Sequence, residues 1–169
     1  MNFDNLPDAD PDRRRLAEAV LRRAPAEGLG AVAFPGGVKA AIWFISEASD
    51  ASMAAAFSTQ RAQSMSDVID LRFAQNRDLK GFVRRVMFFD LLHPVQALQR
   101  MQRTARVMFR CLGAAKPTPM AVTCLNLAYT LVVFRWLLDR SAEDAATARF
   151  SRRVMSLIVD EIRQARTAP

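Results

Sequence analysis

Residues 119–139 read PMAVTCLNLAYTLVVFRWLLD, a run that is apolar on nearly every side and carries Arg135 as its single internal charge. Its length is close to the roughly 20 residues that cross a bilayer, so a membrane span is the first reading to weigh. Against it stand Thr123, Asn126 and Thr130, which place polar groups on several sides, and no second hydrophobic span accompanies this one. A helix apolar nearly all round is explained at lower cost as a buried one, with one side in its own domain and the other against a second subunit. The reading predicts a homodimer built on this helix.

The flanks of the run set its limits. Lys116-Pro117-Thr118-Pro119 stiffens the approach after a loop that opens at Gly113, and Asp139 closes the apolar stretch. Ser141, with Asp144 three residues on, resembles a helix-start box, although Asp reaches back less well than Glu. The helix that follows is expected to run to about Ala165, with Phe150, Val154, Leu157, Ile158 and Ile162 on one stripe.

Upstream, apolar residues recur at helical spacing between short breaks. Asp10-Pro11 is a good helix opening, and Leu16, Val20 and Leu21 make a stripe up to Pro25. Phe34-Pro35-Gly36-Gly37 then turns the chain sharply, but it lacks the lysine and hydroxyl of a phosphate loop. Helices are predicted over Val38–Phe57, Ser66–Asn76, Leu79–Leu92 and Val95–Leu112, with a break at His93-Pro94, because the residue before proline resists the helical region. No strand pattern and no internal repeat is evident, so the expected class is all-α.

Composition bounds the function. At 169 residues, 51% of them hydrophobic, the chain can bury a sizeable core without staples. Cys111 and Cys124 have no metal-ligand spacing and no signal-peptide pattern opens the chain, so a reducing cytoplasm is expected. The formal charge of +7 raises nucleic acid as a partner. Its arginines are scattered in small groups (Arg13 to Arg15, Arg84 and Arg85, Arg100 to Arg110, Arg152 and Arg153), with no aromatic-interleaved motif. A solvated basic surface, an anionic membrane surface and an acidic protein partner all fit that distribution.

Ordinary catalysis finds little support. His93 is the single histidine and sits beside a helix break, where a turn or packing role is the default. Asp67 and Asp70 share a helix face, which usually means a solvated face, and no spacing proposes a metal site or cofactor. Phe44, Met53, Phe57, Met87, Phe88, Phe89, Met101, Met108 and Phe109 would suit an adaptable apolar pocket between helices, and equally a packed core.

Several stretches carry a resemblance. Leu16 to Leu29, LAEAVLRRAPAEGL, looks like the opening helix and Pro-x-x-Gly turn of the ubiquinone-biosynthesis lipid-binding accessory family, and Ala33-Phe34-Pro35-Gly36-Gly37-Val38 resembles its next landmark. Tyr129 followed ten residues on by Asp139, then Ser141, Phe150, Arg152, Arg153 and Val154, is similar to the closing helix pair of that family. The resemblance implies a TetR-like helical bundle whose last two long helices form the dimer interface, here Leu127, Leu131, Phe134, Leu138, Val154, Leu157 and Ile158. It also implies a non-catalytic protein that binds an isoprenoid, ubiquinone precursor or phospholipid, in the cytoplasm or peripherally at the inner face of the membrane, beside a ubiquinone-biosynthesis enzyme. Carried over by position, the pocket lining would be Phe88, Leu91, Met101, Met108, Phe109 and Leu125.

The departures from the family pattern matter as well. Between Gly28 and Phe34 there is no room for the second helix that a helix-turn-helix reader lays in the major groove. Residues 1–37 are therefore read as a shortened remnant of that motif and 38–169 as the ligand-binding and dimerisation domain, with specific DNA binding disfavoured. Arg106, Phe109 and Gly113-Ala114 stand where relatives have an acidic residue and Trp ahead of Gly-Asp, and Pro119-Met120-Ala121-Val122 replaces Tyr-Thr-Lys/Arg-Arg, so the same hydroxylase partner is not implied. The sequence runs out soon after Ile162, leaving little room for the amphipathic tail of some relatives. Two other readings stand beside the lipid one: a TetR-like ligand-responsive or degenerate regulator, and a small helical enzyme or toxin-like protein using His93.

Overall fold

The computed structural model describes residues 37–114 and 116–158. Among them the chain forms six α-helices and no strand: α1 (Gly37–Ala56), α2 (Met65–Gln75), α3 (Lys80–Leu92), α4 (Pro94–Cys111), α5 (Pro119–Leu138) and α6 (Ala145–Leu157). Short 3-10 turns at Arg77–Leu79 and Ala142–Asp144 lead into α3 and α6. The expected helix at Asp10–Pro25, the turn at Phe34–Gly36 and the end of the last helix beyond Ile158 lie outside the described residues.

The chain divides into two units, residues 1–52 and 53–169, so the division falls within α1. In the first unit α1 buries Ala41, Ile42, Ile45 and Ala48 along one helical face. In the second unit the core takes one face from each of α2, α4, α5 and α6. Met53, in the last turn of α1, is fully buried. α2 contributes Met65, Val68, Ile69 and Phe73, and α4 contributes Ala105, Met108 and Phe109. α5 runs against both α4 and α6, and α2 packs on α4 and α6.

α5 is laid down by local chemistry at both ends. Thr118 Oγ1 accepts from the Ala121 amide at 3.1 Å, and Pro119 fills the first helical position, where no amide partner is needed. Within the helix Thr123 and Thr130 donate their hydroxyls back to the carbonyls of Pro119 and Asn126, at 2.9 and 2.8 Å, so both hydroxyls are satisfied within the helix itself. Its inner stripe is Ala121, Leu125, Ala128, Val132 and Trp136, at the spacing of one helical face. Burying a side chain the size of Leu125 or Val132 stabilises by about 1.5–3 kcal/mol, so this stripe fixes the helix in the core. The Trp136 ring stacks on Phe73 at 4.7 Å, and Phe73 in turn on Tyr129 at 5.9 Å, tying α5 to α2.

α4 ends in a hydrogen-bonded cap. Ala114 N–H donates to Phe109 O and Gly113 N–H to Arg110 O, the paired pattern of a Schellman motif, with Gly113 in the left-handed region at φ +85. A side chain at that position would be strained in backbone and would meet Arg61 at 2.7 Å.

Candidate functional site

Three of the six residues expected to line a pocket, Met108, Phe109 and Leu125, are fully buried in the core of the second unit. They come together as packed neighbours of the same cluster as Met53, Ile69 and Val132. Met101 is half-buried on α4. Phe88 and Leu91 are elsewhere: they lie 67% and 77% exposed on the outer face of α3. The six residues thus separate into an interior set and a surface set.

The surface set has companions that were not among the expected site residues. Leu92, Val95 and Leu98 are exposed beside Phe88 and Leu91, on either side of His93-Pro94. The break itself was legible, and the apolar residues flanking it were the available signal. His93 ends α3 and precedes α4, with its ring stacked on Phe89 at 4.1 Å and Nδ1 3.0 Å from the Phe89 carbonyl oxygen. A carbonyl only accepts, so Nδ1 carries the proton and donates. That is a corner-stiffening role, consistent with the default reading of His93.

The residues expected at a dimer interface also divide. Leu127, Leu131, Phe134 and Leu138 form an exposed stripe on α5, joined by Met120, which the sequence reading left out, and Leu157 on α6 is exposed as well. Val154 is instead buried in the protein's own core, and Ile158 packs partly against it. α5 is long and apolar enough to cross a membrane by length and composition, and its inner stripe is in the core described above.

The turn between α5 and α6 gathers the buried polar residues Asp139, Asp144 and Thr147. Asp139 accepts from Thr147 N–H at 2.6 Å, Thr147 Oγ1 at 2.7 Å, Ser141 N–H at 2.9 Å and Ser141 Oγ at 2.7 Å. Burial by itself would push this carboxyl up, but the hydrogen bonds from Thr147 and Ser141 outweigh it and hold Asp139 well below the usual carboxylate range. Asp144 turns inward to Trp136 Nε1 at 3.1 Å, to Arg77 Nε at 3.3 Å and to Lys80. Lys80 Nζ also reaches the Asp139 carbonyl at 3.3 Å and stands 5.2 Å from the Trp136 ring centroid.

This arrangement corrects the reading of Ser141 and Asp144 as a helix-start box. Ser141 Oγ accepts from the Ala146 amide, while Asp144, in the left-handed region, makes no side-chain cap. Its carboxylate is taken by partners on α3, α5 and the turn before α3. Both carboxylates of the turn have their acceptor capacity used by fixed donors, which suits a structural clamp.

Other candidates for chemistry are isolated. Burial pushes the Asp70 carboxyl up, against the pull of Arg152 and with a further push from Asp67 one turn earlier. The Ser151 hydroxyl is fully buried and has no hydrogen-bond partner among the described residues, so no base activates it there as a nucleophile. No group of three or more His, Cys, Asp or Glu side chains among the described residues could hold a metal ion. Comparisons with protein-family models, with curated proteins and with solved structures return no match to this chain.

Proposed function

We propose that this protein is a non-catalytic, homodimeric lipid-binding accessory protein that serves ubiquinone synthesis by handling an isoprenoid or phospholipid. The observation that carries the reading is the two-sidedness of α5. Its inner stripe anchors the core, and its outer stripe of Met120, Leu127, Leu131, Phe134 and Leu138 is left uncovered. Met120, Leu127 and Phe134 repeat every seven residues, as do Leu131 and Leu138. That is the spacing with which two helices interlock side chains along a shared seam. The stripe runs about 27 Å along the helix at 1.5 Å per residue. The ubiquinone setting and the lipid class rest on the sequence motifs of the opening helix and of the closing pair.

The test joins oligomer mass to lipid content. Native purification followed by intact-mass measurement is expected to give a dimer, and extraction with mass spectrometry an isoprenoid or phospholipid in it. Leu131→Glu places a charge in the middle of the seam and is expected to yield a folded monomer. A wild-type monomer removes the dimer, and a dimer free of lipid that ignores added isoprenoids removes the lipid function.

A further inference from the structure

The corner between α3 and α4 carries an apolar surface that the fold does not use. Phe88, Leu91, Leu92, Val95 and Leu98, five large apolar side chains within eleven residues, are all more than half exposed. α3 buries Val86 alone, and the first half of α4 buries Ala97 alone, so this corner extends beyond the core of its unit. Uncovered, these side chains cost solubility, and large exposed apolar residues gathered at one corner of the chain mark an interaction site.

The corner is also held rigid. His93 stacks on Phe89 and donates to its carbonyl, and Asp90 pairs with Arg100 across the break, so the end of α3 and the start of α4 are tied to one another. That ion pair also neutralises Asp90, the one carboxylate between Lys80 and Arg106. A rigid apolar tip avoids the ordering cost that a flexible loop would incur on binding.

Charge identifies the occupant. Behind the tip, Arg84 and Arg85 are exposed on α3. Arg84 precedes Phe88 by one turn and Leu91 by two, which sets its Cα about 6 and 10 Å behind them at 1.5 Å per residue. With α3 standing along the membrane normal, a tip seated about 5–10 Å into the headgroup and acyl boundary, the depth that interfacial apolar faces reach, brings Arg84 and Arg85 level with lipid phosphates, where long basic side chains reach outward to the polar layer. We infer that the α3–α4 corner is a membrane-docking wedge for an anionic phospholipid bilayer, with Phe88, Leu91, Leu92 and Val95 entering the acyl boundary and the arginines meeting the headgroups. The wedge requires neither the α5 dimer nor a carried lipid, so it stands or falls apart from the function proposed above.

The test uses the full chain with vesicles of phosphatidylcholine alone, or of phosphatidylcholine with phosphatidylglycerol, in a flotation assay. The wild type is expected to float with the anionic vesicles and to be released by salt. The double change Leu91→Glu and Leu92→Glu is expected to weaken that binding by about tenfold or more, and Arg84→Glu to weaken it by a smaller factor that vanishes at high salt. As a probe that preserves the apolar tip, Leu92→Trp is expected to gain a blue-shifted emission on anionic vesicles that brominated acyl chains quench. Wild-type protein that ignores both vesicles, a Leu91→Glu, Leu92→Glu protein that floats as well as wild type, or a Leu92→Trp emission unmoved by vesicles would each overturn the wedge.

Discussion

Ser64-Met65-Ser66-Asp67 and Ser141-Ala142-Glu143-Asp144 share the pattern Ser-x-x-Asp, and the protein uses them in opposite ways. At the first, Ser64 Oγ accepts from the Asp67 amide at 3.2 Å while Asp67 accepts from the Ser64 amide at 2.9 Å, a closed capping box on an exposed surface. At the second, the serine is captured by Asp139 and the aspartate by Trp136, Lys80 and Arg77, and Glu143 and Asp144 are driven to φ 51 and 59. For non-glycine residues that left-handed conformation costs about 1–2 kcal/mol each, and it persists because the surrounding contacts over-determine it. A short polar motif therefore closes on itself only where nothing stronger stands nearby. Beside a buried tryptophan and two cations, the same four letters become part of a tertiary clamp.

The comparison breaks most visibly at Asp139. Asp139→Ala leaves the amide and hydroxyl of the buried Thr147 without their acceptor, and urea unfolding is expected to show a loss of about 3–4 kcal/mol. The sign of its pH dependence follows from the same contacts. Because the folded pKa is depressed, the stabilisation is fully present above the ordinary carboxylate value of about 4 and is lost as pH falls toward the lower folded value. The gap between wild type and Asp139→Asn should narrow along that acid limb, and a gap independent of pH would contradict the assignment. Asp144→Ala is expected to cost less, about 2 kcal/mol, since Trp136 Nε1 is orphaned in the interior whereas Arg77 and Lys80 retain solvent access. If the two aspartates act as one clamp, the double variant loses less than the two losses taken together. Smallest is Ser64→Ala, expected to cost about 1 kcal/mol by opening an exposed cap. Equal losses at Ser64 and Asp139 would erase the distinction between box and clamp.

The two apolar surfaces repeat this lesson on a larger scale. Periodicity marked Leu125 and Leu127 alike as apolar members of one helix, yet one is fully buried and the other 66% exposed. Phe88 and Met108 were grouped as lining of one pocket, and packing put the first on a surface corner and the second in the core. Residue type specifies a preference for burial without specifying which neighbour provides it. Val154 illustrates the converse: expected at an intersubunit surface, it is covered by its own domain.

Much of the architecture was nonetheless readable from residues alone, because its causes are local. Proline at 94 and 119, glycine at 113, the threonine at 118 and the spacing of apolar side chains act within a turn or two of the backbone, so the bounds of α1 through α5 follow from them to within a residue or so. What tertiary structure alone decided acts across the chain. Lys80 meets Asp144 at a separation of 64 residues and Arg72 meets Tyr129 at 57. Such contacts choose which face of an all-round apolar helix turns inward, which serine-aspartate motif stays a cap, and which leucines are left in water. Sequence spacing carries the helical period, but the energy that selects among faces arises only when distant segments compete for the same partner.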